Sequence, residues 1–267
     1  MTAINPARLK LQTAELGELI DQPDQFIVRL HDLLSFYSDR IRQTSLSRTP
    51  HKLQTYQVPE PVVQAMEIEI AGQLEGDSEL GYPLIDALWV ERWVEIRRLA
   101  IYLLGILPTE DPTLILSRIQ SWLEACTSED IRRRLMTEGM SKLAKEKPDQ
   151  SLAFIQNLIT SGSKSNKQAA LFGLEFFAQN STFPNLPLIY RYLSQILQAE
   201  EEGLVKEINA LIKTLIIRSE QETTFFLGQQ LGLSTNPRIL RVTRQAMSRL
   251  SPDNQKFLRE KLDKWNE

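Results

Sequence analysis

The sequence predicts an all-α fold built from stacked helical hairpins, and three observations carry that reading. Apolar residues recur at helical spacing almost throughout, as with Ile119, Trp122 and Leu123 in "RIQSWLEA" and Leu188, Ile189, Tyr192, Leu193 and Ile196 in "LIYRYLSQIL". Alternating apolar and polar runs bounded by Asn-Gly or Asp-Gly turns, the signal of strands, are lacking. Prolines stand where helices can begin, in Asp111-Pro112, Lys147-Pro148, Asn236-Pro237 and Ser251-Pro252. A proline in the first helical turn forfeits no hydrogen bond.

Taken in order, periodicity and breaks predict helices near 6–20, 23–44, 60–75, 84–107, 113–125, 129–146, 149–160, 166–179, 187–199, 203–218, 220–232, 238–250 and 253–265. The first three, within residues 1–83, read as N-terminal capping helices. From residue 84 to 267 the helices pair into about five units of one continuous array. The openings "VEIRRLAIYLLG" (from Val94), "EDIRRRLMTEGM" (from Glu129), "NKQAALFGLEFF" (from Asn166), "GLVKEINALIKTL" (from Gly203) and "RILRVTRQAMSRL" (from Arg238) each start polar and turn apolar. Their spacing of about 35 to 38 residues falls within the range of two-helix repeats. Such a unit cannot hide its apolar stripe alone, so units stack and share a core, and equivalent positions line one surface.

Composition narrows the function classes. Hydrophobic residues make up 42% and charged residues 24%, which is ordinary for a folded soluble chain. With 31 Lys plus Arg against 34 Asp plus Glu, no global attraction to nucleic acid exists, so such binding needs a local basic face. One cysteine, Cys126, excludes an intrachain disulfide and fits a cytoplasmic location. With only His31 and His51 beside it, no zinc site is expected. The start "MTAINPARLK" lacks the apolar core of a signal peptide. The longest apolar run, "LAIYLLGIL" at 99–107, is roughly half a membrane span. No membrane association and no cofactor are expected.

Arg97, Arg98, Arg132, Arg133, Arg134, Lys167, Lys206, Arg238 and Arg241 stand near matching places in successive units. Stacked, they would form a basic row. The competing reading is a solvated face on which they pair with Glu91, Glu95, Glu129, Asp130 and the acidic run at 200–202. Trp89 and Trp93, four apart on one predicted helix, read either as a groove platform or as packing between helices. Phe176-Phe177 and Phe225-Phe226 each place one ring on the apolar stripe; a second ring left exposed would mark a protein-binding patch. Cys126 reads as a bystander thiol, and "ITSGSKSN" at 159–166 as a turn before a helix.

"YQVPEPVVQAM" at 56–66, followed by "ALWVERWVEIRRLAIYLLG" at 87–105, resembles the N-terminal part of the DNA alkylation repair family, the AlkD-type HEAT-like repeat proteins. That family shows a tyrosine, a small turn and Val-x-x-Pro, and later Leu-Trp before a His-Glu-x-Arg helix. Leu88-Trp89 fits, and Val94-Glu95-Ile96-Arg97 carries valine in place of the histidine. The resemblance implies a HEAT-like α-solenoid whose concave groove cradles DNA. In active members a carboxylate and tryptophans at the lesion excise positively charged alkylated bases. A carboxylate stabilises the oxocarbenium-like state, and aromatic faces favour the cation.

Carried onto this chain, the family's aspartate falls on or near Arg132, with Glu129 or Asp130 as its substitute if the alignment shifts, and its tryptophan near Ser128. A Trp-x-Arg-Arg pattern becomes Ser165-Asn166-Lys167-Gln168, and a further tryptophan falls near Asn209 or Ala210. One like charge at about 4 Å opposes the cationic state by roughly 4 kcal/mol at an effective dielectric of 20. The expectation is therefore a non-catalytic member, with no catalytic or metal residues, holding a DNA backbone or a protein partner. The alternatives are an active alkylpurine glycosylase and a pure protein scaffold.

Overall fold

A computed structural model describes residues 5–38, 53–74, 77–199, 203–233 and 236–265. His51 and the acidic run at 200–202 lie outside the described residues, as does most of the 38–44 end of the second predicted helix. The described residues are overwhelmingly helical, and the fold is the all-α, HEAT-like helical repeat that the sequence predicts. The chain divides into two compact units, 1–151 and 152–267.

In unit 1 the helices are α1 (Pro6–Gly17), α2 (Pro23–Tyr37), α3 (Glu60–Leu74), α4 (Ser78–Val90), α5 (Val94–Leu104), α6 (Pro112–Ala125), α7 (Glu129–Arg134) and α8 (Ser141–Glu146). A π-helical turn, Leu135–Gly139, joins α7 to α8. Side-chain caps start the helices: Asn5 accepts from the N–H groups of Ala7 and Arg8, Asp77 from Leu80, and Asp111 from Thr113. Leu9, Thr13, Leu16 and Gly17 form the buried stripe of α1, at i, i+4, i+7 and i+8. Helix α1 packs on α3, α3 on α5, and α5 on α7 and the π turn, making one layer; α2 packs on α4 behind it.

The predicted single helix at 84–107 is two helices. The α4 helix begins earlier, at the Asp77 cap, and tolerates Pro83 in its second turn. It stops at Val90, and α5 restarts at Val94. The break has a distant cause. The extended segment 53–59 docks against it through a short parallel bridge, in which Gln54 N–H donates to the Arg92 carbonyl (2.8 Å) and Val94 N–H to the Gln54 carbonyl (2.9 Å). Backbone groups that a continuous helix would pair internally are paired with Gln54 instead.

Helix α9 (Pro148–Thr160) straddles the division between the units. Unit 2 holds α10 (Lys164–Gln179), α11 (Leu186–Gln198), α12 (Val205–Arg218), α13 (Glu220–Leu233), α14 (Pro237–Met247) and α15 (Pro252–Trp265). Here α10, α12 and α14 pack in succession, while α13 packs on α15 in the second layer. Arg218 ties off the end of α10, donating to the carbonyls of Ala178, Asn180 and Phe183.

Candidate functional site

The cations expected to line one surface are mostly turned inward. Arg97, Arg132 and Lys167 do share a register: each is the fourth residue of its helix, at intervals of 35 residues. Arg97 Nε donates to the Glu91 carbonyl at 2.7 Å, and Arg132 Nη2 to the Cys126 carbonyl at 2.9 Å. Glu91 and Cys126 are the C-caps of the preceding helices, where carbonyls lack helical partners. The repeated arginine is thus a helix-ending device. Arg132, Lys167 and Arg238 are buried, and Arg238 Nη1 donates to the Ile196 carbonyl at 3.0 Å. Arg98 forks onto Glu60 (2.6 and 3.0 Å), and Arg134 bridges Asp130 (3.2 Å) and Glu138 (2.6 Å). Arg133 is half-buried, and Lys206 and Arg241 are exposed.

The two tryptophans do not share a helix. Trp89, on α4, is buried and stacked on Trp122 at 4.3 Å, with the Arg97 guanidinium 4.7 Å from its ring centre. Trp93 is the N-cap residue of α5 and stacks on Tyr56 at 3.8 Å. Tyr56 Oη meets His31 Nδ1 at 2.7 Å, and His31 Nε2 meets Glu91 at 3.3 Å. Glu95, also buried, accepts from Thr55 Oγ1 and Gln57 N–H. The residues that carry the family resemblance therefore clamp segment 53–59 onto the α4–α5 break.

The sequence reading missed a group of ionisable residues on the α3–α5–α7 layer. Glu67 is buried and accepts no hydrogen bond among the described residues. Burial raises its carboxyl to about 7, against the pull of Arg98. Glu138, in the π turn, is raised by burial despite Arg134 and Arg98, and Tyr102 by burial and by the charges of Glu67 and Glu138. Glu60 is lowered by its hydrogen bond to Arg98. A signal was there to find: Glu67 lies in phase with Val63, Met66, Ile70 and Leu74 on the buried stripe of α3.

Next along these helices is a cleft of about 380 Å³, lined by Ala71, Gly72, Gly105, Ser141, Lys142 and Lys145 among others. Ala71 follows Glu67 by one helical turn. Gly105 is required where it stands, since a Cβ there would collide with the Glu138 carbonyl. Ser141 Oγ donates to the Gly105 carbonyl at 3.1 Å and Lys142 Nζ to the Ile106 carbonyl at 3.3 Å, which anchors one wall. Lys145 is exposed. The face so built offers two carboxylates raised by burial, two ion-paired arginines and two lysines beside small residues.

No cluster of metal-ligating side chains occurs among the described residues, and no described helix is long and apolar enough to cross a membrane. No curated protein and no solved structure matches the chain. The family comparison does find a match: residues 37–252 fit the model described as DNA alkylation repair enzyme, and the chain belongs to that family.

Proposed function

We propose that this chain holds a nucleic-acid backbone through the α3–α5–α7 face of unit 1 and does not excise alkylated bases by the family's route. The observation that carries the first part is the cleft beside Gly72 and Gly105, where Lys142 and Lys145 stand over small residues that permit close approach. The arginines of this face are held in ion pairs, so the lysines supply the phosphate contacts. With a formal net charge of −3, the binding is weak and strongly salt-dependent. Against excision stands Arg132. Where the resemblance puts a carboxylate, this chain has a buried guanidinium bonded to Cys126.

Fluorescence anisotropy of a labelled duplex across salt tests the binding. A Lys142→Ala, Lys145→Ala variant should lower the slope of log affinity against log salt by about two, one per lost phosphate contact. No binding even at about 20 mM salt would end the nucleic-acid reading and leave a protein partner for the face.

One observation favours a second reading. A buried carboxylate without a hydrogen-bond donor, as at Glu67, would be drawn into its charged form by an approaching cationic base and could stabilise base release. Incubation with methylated DNA decides it: released base above the buffer control, lost in Glu67→Gln, would establish excision from a new carboxylate.

A further inference from the structure

In unit 2 an open cleft of about 590 Å³ lies between α11 and α13. Such a volume, walled by aromatic rings with a few fixed polar groups, is characteristic of small-molecule sites. Tyr190 and Phe226 hold their rings 5.0 Å apart, and Tyr190 is fixed by a hydrogen bond to Thr223 (2.9 Å). Phe225, on the same helix, leaves 59% of its surface exposed. It is the exposed second ring of the Phe-Phe pair.

The polar end of the cleft is more specific. Gln198 Nε2 donates to Ser194 Oγ, so the Ser194 hydroxyl spends its own proton on Gln230 Oε1, at 3.0 Å. That chain fixes which way the Gln230 amide points. Gln230 is 3% exposed, and among the described residues its Nε2 finds no acceptor. That N–H keeps a path to solvent through the cleft, so an acceptor on a ligand can take its open hydrogen-bond position.

We propose that this cleft binds a small planar aromatic molecule with a carbonyl attached to its ring, the ring packed on Phe225 and Phe226 and the carbonyl accepting from Gln230 Nε2. A fixed donor beside a patch of rings suits an acceptor attached to a compact ring; Arg191, Gln195, Gln229 and Glu222 also line the cleft. This site is independent of the nucleic-acid reading, which rests on unit 1.

Ligand-detected NMR titration of the full chain tests it, with nicotinamide as the probe and 3-methylpyridine as the same ring without the carbonyl. Nicotinamide should bind in the millimolar range, about fivefold tighter than 3-methylpyridine, the gain expected of one net hydrogen bond. Gln230→Met should abolish that difference. Phe225→Ala, at an exposed position that leaves the fold intact, should weaken both probes. Equal binding of the two probes, a preference that survives Gln230→Met, or nicotinamide binding untouched by Phe225→Ala would overturn the proposal. So would tighter binding of N-acetylphenylalaninamide, which would assign the cleft to a polypeptide.

Discussion

Arg132 donates across 2.9 Å to the carbonyl of Cys126, six residues earlier, just as Arg97 does to Glu91 in the preceding hairpin. A cation at this register ends the helix before it. Replacing Arg132 by methionine keeps most of the bulk and removes the charged donor from a buried site. The variant should lose about 2–3 kcal/mol of stability in urea denaturation, the usual worth of a buried hydrogen bond to a charged group. Its affinity for a DNA duplex should stay within about twofold of the parent, well below one tenfold step of 1.4 kcal/mol. A loss of affinity at unchanged stability would return Arg132 to a phosphate-facing role.

Glu67 gives the fold a pH dependence with a definite sign. Its carboxyl ionises at about 7 in the folded chain against an ordinary value of 4.5. The folded state therefore holds the proton more tightly than the unfolded one. Its contribution to stability is complete below about pH 4.5 and is lost as pH rises through about 7. The full loss is on the order of 3 kcal/mol. Glu67→Gln, permanently neutral, should be more stable than the parent at pH 8 and equal to it near pH 4. Denaturation midpoints at the two pH values check this, and parallel curves for both proteins would show that Glu67 does not titrate there.

Gly105→Ala tests the seating of the π turn. The added methyl would meet the Glu138 carbonyl, a backbone atom that cannot swing aside. A cost of about 1–3 kcal/mol is expected, the range for overpacking a tight contact. Thermal unfolding would reveal it. Gly72→Ala is the control: nothing stands within 4 Å of a Cβ at that position, and the substitution should be neutral or slightly stabilising.

What was legible in the chain was whatever local chemistry decides. All four X-Pro breaks begin helices, at Pro112, Pro148, Pro237 and Pro252, because a proline and the residue before it act on their own neighbourhood. The division between α4 and α5 was not legible. Its cause is the backbone of Gln54, far away in sequence, and the residues at the break, Glu91, Arg92 and Trp93, carry no glycine or proline to announce it. The repeated register of Arg97, Arg132 and Lys167 was readable, but the direction of the side chains was not, since open carbonyls at a helix end compete with solvent for every long cation nearby. Glu67 is hidden by residue type: a glutamate in phase with valine, methionine and isoleucine reads by its charge as a solvent-facing residue.

Gln54 also bears on how the chain can be cut. Its two backbone hydrogen bonds hold open the corner that separates α4 from α5, and Tyr56 wedges that corner from the side by lying flat on Trp93. A fragment beginning at Ser78 would retain both helices and lose the keystone between them. Residues 88–97 would then be free to wind into one rod, and the layer holding Glu67's neighbours would lose its spacing. A shortened protein of that kind should be treated as a different molecule, not as a lighter copy of this one.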